Sequence, residues 1–450
     1  MAALDRKVTA PTGVSGLKRW RSQDGEQIQE EFLRELQGAK GAKIYDEMRN
    51  NDPNIGGLLR ATTDVIRGVK WNVEPSRGRA SKLLIESMGD MAHSWSDFMS
   101  DVTTMCPFGW AWFEVTYKQR NGFQESGPSS KYNDGRIGWH KIALRAQDSL
   151  TGWDLDEAGN VQAMNQRAAP DFVLRKIPIN KSVLFRMNPE RNNPEGKSML
   201  RTSYRPYYMK KNHEEIEGIG IERDFTGLMV ITLPKSAVAA DRTAAEDILT
   251  KVKADEQAGI TLQKGDEDRE DWDVDILASP GSKSIDVDKA IQRYTTEIFI
   301  ALLGQFMRLA LAGTGSVRGS SSLGSVLKEF FYVALSSIVD NIEDTANMFL
   351  VPPLMRLNGI KQPYPSLKHG RVAPRDMSAF ITALERLAGA GLLGALDNTL
   401  REFIRDEIEL PRPEQKLVAP IELKPKASNT PLDDEREDLY RQDEGDDDAD

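Results

Sequence analysis

Cysteine and histidine, the residues that most often carry disulfide and metal chemistry, are scarce in this sequence. Its 450 residues include one cysteine, Cys106, and four histidines, at positions 93, 140, 213 and 369. One cysteine cannot form an internal disulfide, and the histidines are too far apart in sequence to show metal-ligand spacing. No Ser-His-Asp or Cys-His set can be assembled from them. We therefore expect no catalytic residues, no cofactor and no metal site.

The sequence also lacks an apolar run long enough to span a membrane. The longest, residues 298–312, is interrupted by Gln305 and Arg308 and falls short of the roughly 20 apolar residues that a span needs. Residues 1–20 contain scattered basic residues but no apolar signal-peptide core. We therefore expect no membrane partner. We also expect the protein to stay in the compartment where it is made.

A basic excess is missing as well, although the formal net charge of -10 conceals an uneven distribution. Residues 433–450 contain eleven acidic residues against Arg436 and Arg441, a net charge of -9, which leaves the remaining residues near -1. A sequence-specific DNA-binding protein normally carries cations that neutralise phosphates. If DNA is a partner of this chain, the composition therefore predicts a loose contact.

The sequence does contain enough apolar residues to fold. It is 39% hydrophobic and 28% charged, which is typical of globular proteins, and its length predicts roughly two to four structural units. We expect a weakly structured arm over residues 1–40, with one short helix over 30–36. Residues 41–190 are predicted to form an α+β unit in which helices precede an antiparallel sheet. Its helices are predicted after the Asn-Asp-Pro signal at 51–53 and over 83–102, with a short strand at 71–75 between them. The strands of its sheet are predicted from about residue 109, with a hairpin turn at 156–160.

Two long helices are predicted to flank a small α/β module. The first helix covers about 198–225, and the second begins after Pro280 with an N-cap near Ser284. The module between them has strands at 227–233, 259–263 and 272–277 and a helix over 239–257. A Gly/Ser-rich loop over 311–322 follows, and then a helix over 323–349 that ends at the Pro352-Pro353 pair. Helices over 375–388 and 398–408 precede a solvated acidic tail.

Three local patterns have both a functional and an ordinary interpretation. The run Gly313-Thr314-Gly315-Ser316-Val317-Arg318-Gly319 resembles a phosphate-binding loop, but its glycine spacing is wrong by one residue and no Gly-Lys-Ser/Thr follows. We interpret it as a loop that joins two helices. Paired carboxylates such as Glu214-Glu215 are interpreted as solvated surface. The aromatic and basic residues of 204–211 are consistent with a nucleic-acid surface or, more simply, with a packed helix start.

The order of these elements resembles that of phage portal proteins, especially the Mu-like branch. The segments that carry the resemblance are residues 44–48 (IYDEM), 52–55 (DPNI), 71–73 (WNV), 194–200 (PEGKSML), 227–234 (GLMVITLP) and 300–305 (IALLGQ), and the likeness spans about 41–410. It implies an α+β portal fold with a wing, a two-helix stem, a small α/β clip and a short helical crown. The implied ranges are an arm at 1–40, wing at 41–197, stem helices at 198–225 and 284–307, clip at 226–283, tunnel loop at 308–322, long wing helix and return at 323–373, crown at 374–420 and a disordered acidic tail at 421–450.

The same resemblance implies a virion location at the capsid vertex, with the host cytoplasm as the place of assembly. The subunits would form a homo-oligomeric ring of about twelve copies around non-specifically contacted double-stranded DNA. Large terminase, a head-tail connector, the major capsid protein and scaffolding protein would be further partners. Implied tunnel-loop residues are Arg308, Gly313, Thr314, Gly315, Ser316, Val317, Arg318 and Gly319. Implied stem residues on the channel face are Lys210, Lys211, Arg223, Lys289 and Arg293, and implied partner-binding clip residues are Lys235, Arg242, Lys251 and Lys264.

Two rival functions remain open on the sequence alone. One is another structural virion component, such as a head-closure or minor capsid protein. The other is a nucleotide-binding cytosolic enzyme that uses the loop from Gly313 to Gly319.

Overall fold

The structure is a computed structural model of the whole chain. It describes residues 14–373 other than 15, 227, 234–236, 252–272, 278–286 and 305–319, together with residues 382 and 386. The chain divides into two compact units, Met1–Pro374 and Arg375–Asp450, and every helix and strand bounded within the described residues lies in the first. Among those residues, no helix combines the length and apolar content needed to cross a bilayer.

A short hairpin, five helices and a further strand open the body. They are β1 (Arg19–Ser22), β2 (Gly25–Ile28), α1 (Gly38–Asn51), α2 (Pro53–Gly68), β3 (Trp71–Glu74), α3 (Arg79–Gly89), α4 (Trp95–Val102) and α5 (Met105–Phe108). Helix α2 begins where the Asn-Asp-Pro signal predicts. The Asp52 carboxylate accepts hydrogen bonds from the backbone N–H groups of Asn54 and Ile55, and Pro53 fills a first-turn position that needs no donor.

Two antiparallel sheets follow, which confirms the predicted α+β class. Their further strands are β4 (Trp110–Asn121), β5 (Asn133–Arg145), β6 (Leu150–Leu155), β7 (Val161–Arg167), β8 (Leu174–Pro178) and β9 (Ser182–Arg186). A three-stranded sheet has the order β5-β4-β9, and a five-stranded sheet has the order β1-β2-β6-β7-β8. The predicted turn between β6 and β7 is present, closed by a hydrogen bond of 2.7 Å from the Asn160 N–H to the Asp156 carboxylate.

Strand β4 has both faces covered, as its sequence predicts. Ala111, Phe113 and Val115 belong to the large core shared with the helices. Trp110 and Trp112 point to the opposite face and pack on Trp153 of β6, with ring centroids 5.2 and 5.7 Å apart. Alternation along one strand therefore joins two hydrophobic cores.

The prediction of a weakly structured arm over residues 1–40 is wrong for its second half. The β1–β2 hairpin extends the five-stranded sheet, where Glu26 pairs with Trp153. A short 3-10 turn, Arg34–Leu36, stands where the short helix is predicted. The strand sequences RWRS and GEQI show no apolar alternation, so the partner strand rather than local pattern determines the conformation.

The single helix predicted over 83–102 is two helices, because the chain turns at Asp90. The Asp90 carboxylate accepts hydrogen bonds from the Ser130 hydroxyl and the Lys131 N–H, and Lys118 Nζ lies 3.2 Å from it. Ser94 then caps α4 by accepting a hydrogen bond from the Asp97 N–H. Long-range polar contacts therefore interrupt a continuous apolar pattern.

The predicted pair of helices around a small module is present. Helix α6 (Tyr204–Thr226) follows a 3-10 turn, Met199–Arg201. Next in sequence come β10 (Leu228–Thr232), α7 (Ala239–Lys251) and β11 (Asp273–Leu277), with β10 and β11 paired antiparallel. Helix α8 (Val287–Ala301) then packs against α6. The predicted strand at 259–263, the Ser284 cap and the helices over 375–388 and 398–408 lie outside the described residues, apart from two single helical positions at 382 and 386.

The long helix α9 (Ser320–Thr345) does not end at the proline pair. It passes through a π-helical turn, Ala346–Leu350, into α10 (Val351–Leu357), whose first turn holds both prolines. Because proline donates no N–H to the helix, the change of hydrogen-bonding pattern in the π-helical turn accommodates the pair within a continuous helix. The chain then returns as β12 (Ser366–His369), which pairs antiparallel with β3.

Candidate assembly and channel surfaces

The two long helices α6 and α8 form a pair that emerges from the body. The His213 ring on α6 and the Tyr294 ring on α8 have centroids 5.3 Å apart. Near its C-terminal end, α8 enters the main core, where Ile298 and Leu302 are buried with Leu58 of α2. Because the α/β insert lies between the two helices in sequence, the pair connects that insert to the body.

Two lysines attach the first turns of α6 to the body. Lys210 Nζ lies 2.9 Å from the Asp52 carboxylate and 3.5 Å from that of Glu214. Lys211 Nζ lies 2.7 Å from Glu47, and this hydrogen bond lowers the pKa of the Glu47 carboxyl. Lys210 is only 6% exposed, so the expectation that it faces a channel is wrong. Its charge is used inside the subunit, because a buried ammonium needs a paired carboxylate.

Carboxylates of the N-terminal segment bind to the chain around the start of α6. Arg201 Nη2 donates to Glu31 at 2.9 Å, and the Tyr204 hydroxyl donates to Glu35 at the same distance. Burial alone would raise the pKa of Glu31, but hydrogen bonds from Arg201 and from backbone N–H groups outweigh it and leave the pKa lowered. The aromatic and basic stretch at 204–211 is therefore largely occupied by contacts within the subunit, which agrees with its interpretation as a packed helix start.

Three of the other predicted stem residues, Lys211, Lys289 and Arg293, lie at exposed positions. Lys211 is half-exposed in its pair with Glu47, and Lys289 is exposed on α8. Arg293 is exposed and covers the Tyr294 ring at 4.7 Å, with a hydrogen bond of 2.8 Å to the Tyr294 hydroxyl. Arg223 lies within α6, outside the residues whose side chains are described. Since Glu214, Glu215 and Glu217 lie on α6 and exposed cations lie on both helices, the described stem has mixed charge.

The structure describes two of the four predicted clip residues, Arg242 and Lys251. Arg242 is exposed on α7, 3.9 Å from Glu246 one turn along the helix. Lys251 is the last residue of α7, and its side chain is not among those described. Lys235 and Lys264 lie outside the described residues. The described contacts do not bring these four residues together into one surface, so their partner-binding role stays a prediction.

The predicted tunnel loop lies almost entirely outside the described residues. This applies to Arg308, Gly313, Thr314, Gly315, Ser316, Val317, Arg318 and Gly319. Residues 320–322, the last three of the predicted loop, are instead the first residues of α9. Serine at a helix start is favourable because its hydroxyl can satisfy free backbone N–H groups, so this bound is corrected by three residues.

An exposed apolar surface on α9 was missed by the sequence reasoning. Val326, Phe330 and Val333, called here the α9 stripe, are 46%, 63% and 67% exposed. Their spacing of four and three residues places them along one side of the helix. Phe331 and Leu335 form part of a different, buried side. Both sets of apolar residues recur at helical spacing in the sequence. Either set alone predicts a helix with one buried side, so the second, exposed side was not recognised.

Chemistry-bearing clusters are not found in the part of the chain that the structure describes. No group of three or more His, Cys, Asp or Glu residues there could hold a metal ion. Glu214 of the Glu214-Glu215 pair is half-exposed and contacts Lys210, as a surface carboxylate would.

The described fold is an α+β body from which a packed pair of helices connects to a small α/β insert. A model of the family described as "Portal protein of Mu bacteriophage" matches residues 42–410, and the chain belongs to that family. It is therefore a portal subunit, a structural component of the virion at the capsid vertex. Portal proteins act there as oligomeric rings. No curated protein matches the chain.

The chain is also similar to chains in solved structures of a gene transfer agent particle and to a phage portal protein. A chain in the virion of a native gene transfer agent particle has a TM-score of 0.49 and 10% identity, covering 84% of this chain and 94% of that one. A chain in the neck of the native gene transfer agent particle, computed with C12 symmetry, has a TM-score of 0.47 and 10% identity, covering 80% and 92%. An HK97 family phage portal protein from Corynebacterium diphtheriae has a TM-score of 0.38 and 11% identity, covering 77% and 96%.

Proposed function

We propose that about twelve copies of this chain close into a ring whose central opening passes double-stranded DNA during genome packaging, retention and ejection. The observation that carries the proposal is the helix pair α6–α8, which is fixed in the body at one end and connects to the insert at the other. Helix α6 is held by Lys210–Asp52 and Lys211–Glu47, and α8 by the burial of Ile298 and Leu302. Such fixed helices suit the wall of a channel.

The charge of the described stem supports passage of DNA rather than tight binding. Each phosphate neutralised by a lysine or arginine adds affinity, and a ring would multiply that contact by its number of subunits. On α6, Lys210 is buried and Lys211 is paired, while Glu214 and Glu215 are exposed. Arg308 and Arg318 of the predicted tunnel loop and Arg293 of α8 are the cations that we propose to guide the DNA.

The insert is the part we propose to dock large terminase during packaging and a head-tail connector afterwards. Arg242 is exposed on α7 and supplies a cation there, and Lys235, Lys251 and Lys264 belong to the same segment. The body would contact the major capsid and scaffolding proteins. Assembly would take place in the host cytoplasm, and the chain itself would catalyse no reaction and bind no cofactor.

Native mass spectrometry and negative-stain imaging of the purified full-length chain test the ring. We expect an assembly of about twelve copies with a central opening. A compact monomer, or an assembly without an opening, would contradict the proposal and favour a different virion component. A thermal-shift series with ATP or NAD and Mg²⁺ tests the nucleotide-binding rival, because a ligand at 100 times its Kd adds about 2.7 kcal/mol of stability. We expect no shift.

A further inference from the structure

Helix α9 is apolar on two sides, and its contacts within the subunit account for only one of them. Phe331, Leu335 and Ile342 are between 0% and 5% exposed and pack in the main core. A helix that is hydrophobic around most of its circumference is normally buried. The α9 stripe, formed by Val326, Phe330 and Val333, nevertheless remains at least 46% exposed in the single subunit.

We propose that the α9 stripe is covered by a neighbouring copy of this chain, as the apolar centre of the contact between adjacent ring subunits. This inference rests on the proposed ring. Burying apolar surface contributes about 25 cal/mol for each Å² removed from water, which gives an exposed phenylalanine and two valines a strong tendency to associate.

The surroundings of the stripe have the composition expected around an interface centre. Glu329 lies beside it and is exposed, and the next turns present the exposed residues Ser337 and Asp340 on the same side of the helix. An apolar centre within a polar rim is the usual organisation of a protein contact. Since a stable interface buries about 800 Å² on each partner, three side chains are only part of it. In the proposed interface these three side chains lose their contact with water, and most of the affinity depends on them.

A second copy is the occupant favoured by the kind of assembly that the family forms. In a ring every subunit carries the same stripe, and a heterologous contact buries each stripe once, against a different surface of the neighbour. A free apolar stripe would remain exposed in an isolated subunit but would be covered at every position of a closed ring. The ring therefore removes the exposure without requiring a further protein.

A substitution pair tests this inference by ring stability. Native mass spectrometry of a dilution series measures the protein concentration below which rings dissociate. We expect Phe330→Glu to weaken the ring and raise that concentration by at least about tenfold. Lys328→Glu changes a charge on the same helix away from the stripe, and we expect it to leave that concentration within about twofold. The urea midpoint of the dissociated subunits should be the same for both variants, which separates lost assembly from misfolding.

A chemical readout in the assembled ring provides the second test. The native Cys106 is buried, and burial raises its pKa to about 12, so an engineered thiol will dominate maleimide labelling. We expect Val333→Cys to label at least about tenfold more slowly in rings than in dissociated subunits. Equal labelling rates in rings that remain intact would overturn the inference while leaving the ring proposal in place. Absence of rings from the unsubstituted protein would overturn the ring proposal itself. Slow labelling in the dissociated subunit would also overturn the inference, because another segment of the chain would then cover the stripe.

Discussion

Lys210 Nζ lies 2.9 Å from the Asp52 carboxylate, and this ion pair joins the stem helix α6 to the start of α2 across 158 residues of sequence. The two side chains are 7% and 2% exposed. Asp52 also accepts the hydrogen bonds that cap α2, at 2.8 Å from the Asn54 N–H and 3.1 Å from the Ile55 N–H. A single carboxylate thus fixes both the beginning of a body helix and the anchor of the stem.

We expect Asp52→Ala to lower the free energy of unfolding by about 3–5 kcal/mol. The substitution leaves the Lys210 ammonium buried, with only the half-exposed Glu214 near it, and it also removes the cap. Urea denaturation at a fixed protein concentration measures the loss. Glu214→Ala is the matched control and should cost less than about 1 kcal/mol, since a half-exposed pair contributes little.

The double variant Asp52→Asn with Lys210→Met separates the charge from the cap. Asparagine still caps a helix, and methionine fills the space of the lysine stem without a charge. We therefore expect the double variant to recover most of the stability lost by Asp52→Ala. If the double variant is as unstable as the single one, the buried pair is not the source of the effect.

This pair also illustrates what the sequence could and could not predict. The Asp52 cap and the β6–β7 turn at Asp156 are local signals, and both were predicted correctly. The local sequence gives no sign that Lys210 is buried, because its partner, Asp52, lies far away in sequence. Lys210 was therefore assigned to the channel. The split of the predicted 83–102 helix at Asp90 has the same origin, since Ser130 and Lys131 supply the contacts that turn the chain. Local patterns carry no information about such partners.

The candidate sites divide in the same way. The helix pair and the insert follow from period and turn signals, so their order was predictable without knowledge of their contacts. The hairpin β1–β2 was not, because these two four-residue strands depend on pairing, of β1 with β2 and of β2 with β6. The sequence also shows that Arg293 and Lys211 are charged, but not that Arg293 contacts an aromatic ring and that Lys211 pairs with a carboxylate in the same subunit.

Gly196 provides a test of backbone strain beside the start of the stem. Its φ is +55°, and a Cβ atom there would lie 2.3 Å from the Gly109 carbonyl oxygen and 2.6 Å from that of Met187. We expect Gly196→Ala to lower the free energy of unfolding by more than about 2 kcal/mol, because both the conformation and the contact are unfavourable.

Gly57 is the matched control for that substitution. It lies within α2, and a Cβ atom added there would have no neighbouring atom within 4 Å. Alanine is favoured over glycine in a helix interior, so we expect Gly57→Ala to raise stability by about 0.5–1 kcal/mol. If Gly196→Ala proves as stable as Gly57→Ala, the loop around Gly196 does not require a left-handed residue.

Cys106 should be unreactive in the folded protein. Its side chain is buried, and burial raises its pKa to about 12, which leaves almost no thiolate at neutral pH. We expect reaction with a thiol reagent to proceed only as fast as unfolding, and to give one equivalent per chain in denaturant because the sequence has one cysteine. Rapid labelling of the native protein would contradict the burial.

Glu195 makes the stability of the body dependent on pH. Glu195 is partly buried, and burial raises the pKa of its carboxyl to about 7, although the hydrogen bond of 3.0 Å from Trp153 Nε1 partly opposes that shift. The folded state therefore holds the proton more tightly than the unfolded state, in which the carboxyl has its ordinary pKa of 4.5. The contribution of Glu195 to the free energy of unfolding is therefore greatest below pH 4.5, and this contribution is lost as the pH rises to about 7.

Glu195→Gln should remove this dependence, because glutamine keeps an oxygen for the Trp153 N–H and carries no proton that can be lost. The shift from 4.5 to about 7 corresponds to a destabilisation on the order of 3 kcal/mol above pH 7. We therefore expect the variant and the original protein to have similar unfolding free energies at pH 4.5, and the variant to become the more stable one by pH 8. Denaturant titrations at several pH values measure the difference between the two. A difference that stays constant with pH would show that Glu195 ionises at its ordinary pKa, and that water reaches its carboxyl beside Trp153.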